Sequence, residues 1–209
     1  MPADELIPAQ TALLFFDMLN GHIKTGQPAT TFRYAPVIAA ASALLNAARA
    51  QSMMVAYASA NHRADNATSA HTIRDTDNRL YALDPSVPPE FKPIVAGGTW
   101  AAQVIDELAP TAEDYIILKY RWSAFFQTYL DLALRTRKID TLIIAGGSTD
   151  VGVASTAFAA RDLDYNLVIV SDACSSPEQD NHDQFMQRIF PRMARVRTAA
   201  QVVAMLTAR

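Results

Sequence analysis

The chain predicts an α/β fold of the doubly wound kind, a mainly parallel six-stranded sheet flanked by helices, and two patterns carry that expectation. Short apolar runs rich in β-branched residues alternate with alanine- and leucine-rich stretches of helical period, as strand–helix–strand units do. The stretch from Asp140 to Ala160 reads DTLIIAGGSTDVGVASTAFAA: an apolar run, Leu142 to Ala145, stops at Gly146-Gly147, passes Ser148-Thr149-Asp150 and becomes a small-residue helical pattern from about Val151. A strand, a tight turn and a helix start place free backbone N–H groups at the carboxyl edge of the sheet, where open α/β sheets bind ligands. With 209 residues, half of them apolar, the chain is expected to form one domain over 1–209.

The remaining elements follow in order. Thr11 to Phe16 (TALLFF) reads as a buried parallel strand with Asp17 at its tip. Pro36 suits a first helical turn and is expected to open a helix reaching about Gln51. Met53 to Ser59 is the second strand. From Ala60 to Gly98 the pattern breaks, with prolines at Pro85, Pro88, Pro89 and Pro93, and a loop this long is expected to be the rim or lid of a pocket. Thr99 to Leu108 reads as a short helix capped by Thr99, and Tyr115 to Leu118 as a third strand running into Lys119. A helix falls within Ser123 to Arg135. The fifth strand is Asn166 to Val170, and an Asp180 to Phe190 helix, an Arg195 to Arg197 strand and an Ala199 to Leu206 helix close the chain.

Composition excludes several functions. The net charge is −3 and the 18 Lys and Arg are scattered, so no nucleic acid is expected as a partner. MPADELIPAQ lacks the basic-then-apolar pattern of a signal peptide, and no apolar run approaches the roughly 20 residues of a membrane helix; a cytoplasmic protein is expected, with no membrane partner. Cys174 is the one cysteine, which rules out an internal disulfide and a cysteine-based zinc site.

Three strand ends then carry chemistry: Asp17, Lys119 and the turn leading to Gly152. Carboxyl ends of parallel strands share one edge, so these groups are expected to converge. The ordered set LLFFDMLN, LKYRWSAFFQTYLDLALR and AGGSTDVGVASTAFAARD resembles the isochorismatase-like hydrolases of the cysteine hydrolase superfamily. Most of them use an Asp, a Lys and a nucleophilic Cys. The resemblance places Asp17 and Lys119 on the first two and Gly152 on the third, where no acyl-enzyme can form. Glycine there also occurs in members that cleave the vinyl ether of isochorismate, which implies a general-acid mechanism: Asp17 protonates the methylene carbon, water adds, and the hemiketal collapses to pyruvate and an alcohol. Lys119 then pairs chiefly with the substrate anion, while Gly147, Ser148, Val151 and Gly152 form the substrate-facing turn, with a non-proline cis bond between Gly147 and Ser148. Trp122, Phe125 and His62 are expected to line the pocket.

Other candidates have simpler explanations. Asp150 is expected to cap the following helix, and Arg121 and Ser123 to orient their loop. Cys174 reads as a buried, inert thiol. A nicotinamide-hydrolysing branch of the family binds metal through Asp-x-His and a further His; here Ala60 stands two before His62, so His62 and His71 imply no metal, and the chemistry requires no cofactor. His22 and His182 read as surface residues, and Arg63, Arg74 and Arg79 as a solvated loop face. Two alternatives stand beside enol-ether cleavage: hydrolysis of an amide, imide or other C–N bond with Asp17 as general base, and a non-catalytic ligand-binding or assembly member. The resemblance also implies a small-molecule substrate and a homo-oligomer.

Overall fold

The computed structural model describes residues 4–25, 28–65, 67–68 and 95–207, the side chains of 28–32 aside. Most of the expected pocket rim, with His71, Arg74, Arg79 and its four prolines, lies outside the described residues.

Six strands form one parallel sheet in the order β3-β2-β1-β4-β5-β6. They are β1 (Thr11–Phe16), β2 (Met54–Ala60), β3 (Tyr115–Lys119), β4 (Thr141–Gly147), β5 (Asn166–Ser175) and β6 (Arg195–Arg197). The chain winds outward from β1 through β2 to β3, then returns to the far side of β1 as β4. The order therefore reverses between β1 and β4, and a crevice opens there at the carboxyl ends of the strands.

Alternation along β1 sends its residues to two separate cores. Leu13 and Phe15 face the long helix α2 (Pro28–Ala50) and α6 (Ala199–Thr207), meeting Leu44, Leu45, Val202 and Met205. Leu14 and Phe16 face α3 (Leu130–Thr136) and α4 (Ala154–Asp162), meeting Leu130, Leu134, Ala157 and Ala160. A one-turn helix, α1 (Asn20–Ile23), follows Asp17, and α5 (Gln179–Gln184) follows β5.

Four boundaries differ from the sequence expectation. Pro28, not Pro36, opens the long helix, and Pro36 lies inside it; Ile38, Ala41, Leu44, Leu45 and Ala48 form the buried stripe that holds this helix on the sheet. The expected helix at Thr99–Leu108 is two 3-10 turns, Trp100–Ala102 and Asp106–Leu108, because Val104 between them pairs antiparallel with Leu19 and the Ile105 N–H bonds the Met18 carbonyl at 3.1 Å. β5 runs to Ser175, five residues past its apolar run: a register shift beside Gly146 re-pairs Gly146 with Cys174 and Gly147 with Ser175. The expected 180–190 helix is α5, then a wider turn at Phe185–Ile189 and a 3-10 turn, Phe190–Arg192, at Pro191.

Candidate active site

Asp17 leaves β1 with φ of 49°, in the left-handed region where Asp is among the few tolerated side chains. Its N–H bonds the Ala58 carbonyl at 2.9 Å, so the backbone turns while still tied to β2. The carboxylate then spans β2: Oδ1 accepts from the Ala60 N–H at 2.9 Å and Oδ2 from Lys119 Nζ at 2.7 Å. Register explains the meeting, because Ala60 is the cross-strand partner of Lys119 on β3. Lys119 is only 4% exposed, and its ammonium also lies 4.2 Å from the centre of the Phe16 ring, within cation–π range.

The turn after β4 approaches from the other side of β1. Gly146 has φ of 127°, and a Cβ there would fall 2.1 Å from the Phe16 carbonyl oxygen, so only glycine fits. The Gly147–Ser148 peptide is cis, as the resemblance implied. The helix expected from Val151 begins as a wider turn, Thr149–Val153, before α4.

Gly152, the position matched to the family's thiol, is buried in that wider turn. A Cβ on it would lie 2.1 Å from Cε1 and 2.4 Å from Cζ of Phe16, so the aromatic ring occupies the start of any side chain. The residue before the candidate acid thus fills the place of the candidate nucleophile.

Asp150 ties the turn together in a way the capping expectation does not describe. Its carboxylate accepts from the Ser148 hydroxyl, from Ser176 Oγ at 2.6 Å and from Asn181 Nδ2 at 2.8 Å, joining the turn to the segment after β5 and to α5. Burial alone would raise its pKa, but these bonds, together with its own N–H, outweigh that and hold it below the usual carboxylate range.

The histidines are not the surface residues expected. His182 Nδ1 bonds the buried Thr149 Oγ1 at 2.9 Å because α5 folds back on the turn, and burial lowers its pKa. His22 is partly exposed, yet its Nε2 is sealed from solvent and has no hydrogen-bond partner among the described residues, as is the case for Nδ1 of His62. His62 sits edge-on to Tyr120, with ring centres 6.2 Å apart. Among the described residues no cluster of His, Cys, Asp and Glu could hold a metal.

The other candidates divide. Val151 is half-buried on the same turn as Gly152, and Trp122 is half exposed on the loop after Lys119. Phe125 stacks on Tyr165 at 5.8 Å, against the α3–α4 core. Arg121 donates to the carbonyls of Thr68 and Tyr120, and Ser123 Oγ accepts from the Phe125 N–H, both ordering the loop as expected. The Cys174 thiol is fully inside β5, and burial pushes its pKa up to about 12. A cleft of about 220 Å³ opens among Thr68, Tyr120, Arg121 and Phe126. A larger one, about 420 Å³, lies at the amino ends of the strands beside Thr11, Thr141 and Asn166, the opposite edge from Asp17.

Sequence reasoning missed the Ala60 N–H, a backbone donor with no signal of its own, and the clasp of Ser176 and Asn181 on Asp150. It read Phe16 as core without its role at Gly152.

The isochorismatase domain family matches residues 11–201. The chain belongs to the isochorismatase family. Isochorismatase family protein YecD of Escherichia coli O157:H7 is 45% identical over 96 residues, 46% of this chain and 51% of that protein. Ureidoacrylate amidohydrolase RutB of Acinetobacter baylyi is 32% identical over 180 residues, 82% of this chain and 73% of that protein. The match spans about half the length of the first curated relatives. Among solved structures, an isochorismatase family protein from Burkholderia thailandensis superposes with a TM-score of 0.79 at 30% identity, covering 98% of this chain and 99% of that one. The six-stranded parallel sheet is thus an isochorismatase-family fold. No helix among its described residues is long and apolar enough to cross a membrane.

Proposed function

We propose that this isochorismatase-family chain is a hydrolase that works without a cysteine nucleophile and cleaves an enol ether such as isochorismate, with Asp17 as general acid. The contact between Gly152 and the Phe16 ring carries this reading, since it leaves neither a thiol nor room for one. Enol-ether cleavage needs no nucleophile from the protein. The substrate carboxylate draws the Lys119 ammonium to itself, and Asp17, relieved of its partner and desolvated by the substrate, takes up a proton. Asp17 delivers that proton to the methylene carbon, leaving an oxocarbenium ion. Water adds to the cation and returns a proton to Asp17, and the hemiketal breaks its C–O bond to give pyruvate and the alcohol. In this reading Gly147, Ser148 and Val151 line one side of the substrate and Trp122 and His62 the other, while Gly152 meets the Phe16 ring and Phe125 packs on Tyr165.

A second reading, hydrolysis of a C–N bond by water with Asp17 as general base, has its own support. Both Asp17 oxygens accept hydrogen bonds, as a base requires, and the relative RutB is named an amidohydrolase. The enol ether ranks first because water adds readily to the oxocarbenium ion that protonation creates, whereas an amide carbonyl needs an activated water in place of the absent thiol. A cytoplasmic homo-oligomer fits the outer strand β3 and helix α3, where Ile116, Leu118 and Leu132 are exposed.

The test measures product release from isochorismate, amides and cyclic imides by the wild type and Asp17→Asn. Pyruvate release that vanishes in the variant supports the enol-ether reading. Ammonia or amine release moves the assignment to C–N hydrolysis. Ligand binding with no turnover makes the protein a non-catalytic member.

A further inference from the structure

The cleft of about 420 Å³ at the amino edge of the sheet takes no part in the chemistry of Asp17, and three arginines line it: Arg161, Arg192 and Arg195. Small-molecule sites occupy roughly 300–1,000 Å³, so the cleft has the room for a ligand.

Rigid elements bound it. Thr11, Thr141 and Asn166 are the first residues of β1, β4 and β5, and they are register partners, Thr11 with Thr141 and Thr141 with Asn166. On one side runs the chain before β1, tied along its length: Arg197 of β6 holds Asp4 at 2.8 Å, the Leu6 N–H bonds the Met205 carbonyl at 3.2 Å, and the Thr11 hydroxyl bonds the Ile7 carbonyl at 2.8 Å. On the other side the 191–195 segment leads into β6, and Arg161 projects from the last turn of α4. Arg195 Nη1 bonds the Glu5 carbonyl at 3.4 Å, which links the two sides.

The charges are arranged but not paired. Arg161 gives Nη1 to the Tyr165 carbonyl at 2.7 Å and forms no ion pair among the described residues. Arg192 is exposed and has neither a hydrogen bond nor an ion pair among them. Burial and, after it, the neighbouring Arg197 lower the pKa of Arg195, as happens where cations crowd together. The end of a helix favours a cation, which accounts for Arg161 but not for Arg192, carried by a 3-10 turn of three residues. Acceptors also line the cleft: Glu5, Asn166 and Asp140, whose Oδ1 already takes the Thr141 hydroxyl at 2.7 Å. Guanidinium forks match phosphate oxygens, and carboxylates accept from hydroxyls. A ligand anionic throughout would meet Glu5 and Asp140 as like charges, so the anion must occupy one end only.

We propose that this cleft is a second ligand site, which holds a hydroxylated phosphate monoester of sugar size, with its phosphate on Arg161, Arg192 and Arg195 and its hydroxyls on Asp140, Glu5 and Asn166. The site is at the opposite edge of the sheet from Asp17 and stands whatever bond the protein cleaves.

The test titrates the full chain with four probes: ribose 5-phosphate, inorganic phosphate, ribose, and ribonate, which has a carboxylate for its anion. Dissociation constants are measured for the wild type, Arg192→Ala, Arg161→Gln and Asp17→Asn, with ¹³C-methyl methionine spectra to locate the ligand. Met193 lines the cleft, whereas Met18 adjoins Asp17 at the other edge. Ribose 5-phosphate is expected to bind tightest and to shift Met193 but not Met18. A hydrogen bond to a charged group corresponds to about a tenfold change, so each arginine variant should weaken binding by that factor or more. Asp17→Asn should bind as the wild type does. Arg192→Ala removes an exposed side chain without a partner, so weaker binding there reports lost contact and not a damaged fold. No binding of ribose 5-phosphate, undiminished binding by Arg192→Ala, or a shift at Met18 in place of Met193 overturns the proposal. Equal binding of inorganic phosphate overturns the role of the hydroxyls, and equal binding of ribonate overturns the choice of phosphate.

Discussion

A Cβ on Gly152 would lie 2.1 Å from Cε1 of Phe16, so the turn after β4 and the end of β1 share space that only a glycine leaves free. Phe16 cannot easily yield, because it is 2% exposed and packed in the α3–α4 core. Gly152→Ala and Gly152→Cys are therefore expected to destabilise the fold by about 1–3 kcal/mol, as overpacked cores do. Phe16→Ala should be costly alone, but the Phe16→Ala/Gly152→Cys pair should cost less than the sum. Denaturant titrations of the four proteins measure that coupling. Additive costs, or a Gly152→Cys variant of wild-type stability, would refute the contact.

The thiol that the chain does possess should be silent. Cys174 is buried in β5, with its pKa pushed up to about 12 by burial, and the reactive species of a cysteine is the thiolate. Native protein is expected to leave it unalkylated by iodoacetamide near neutral pH, and denatured protein to label it stoichiometrically. Rapid labelling in the native state, with loss of activity, would reopen the case for a thiol at the site.

Acid should weaken the protein in two stages. Burial lowers the pKa values of His22, His62 and His182 from 6.5, so below about pH 6.5 the unfolded chain binds more protons than the folded one. Stability then falls on acidification from 6.5 to the folded-state values, and these groups contribute no slope well above 6.5. Asp150 and Glu107 act lower: their pKa values are depressed from 3.8 and 4.5, so their contribution is present above those values and lost as pH falls through the folded ones. Unfolding midpoints measured from pH 8 to 3 should show both declines. His22→Phe should flatten the upper one and leave the lower unchanged.

The two parts of the site were unequally legible in the chain. Asp17 and Lys119 could be found because each ends an apolar run, and strand ends of a parallel sheet share an edge. That Lys119 would reach across β2 to Asp17 depended on the Ala60–Lys119 register, which no local pattern encodes. Pro36 misled because a proline that suits a first turn can also sit deeper in a helix when the buried stripe around it holds the helix to the sheet. The histidines misled for another reason: distant segments pack on their helices, with Trp100 bonded to Asn20 of α1 across 80 residues and Thr149 to His182 of α5 across 33.

Asp150 offers a sharper test of the turn than its glycines. Its carboxylate collects hydrogen bonds from Ser148, Ser176 and Asn181, so Asp150→Ala removes three bonds at once and leaves the two serine hydroxyls only each other, 3.3 Å apart. A loss of about 1–3 kcal/mol is expected, and Asp150→Asn should recover only part of it, because bonds to a charged acceptor are the stronger kind. Urea unfolding measures this, and a neutral Asp150→Ala would show that the turn holds without the clasp.

The Asp17–Lys119 pair separates stability from chemistry. The side chains are 13% and 5% exposed, so removing one charge strands the other in a poorly hydrated site. Lys119→Met is expected to cost about 3–5 kcal/mol, whereas Asp17→Asn/Lys119→Met, with both charges gone, should be considerably more stable than the sum of the single effects. Activity should not recover in the double variant. Asp17→Asn keeps the shape of the carboxylate but cannot transfer its proton, and a lost acid or base costs about 10²–10⁴ in rate. A double variant that regains stability and remains inactive assigns the pair a role in proton transfer. If the double variant regains activity along with stability, the pair is a structural ion pair and the proton donor must be sought elsewhere in the crevice.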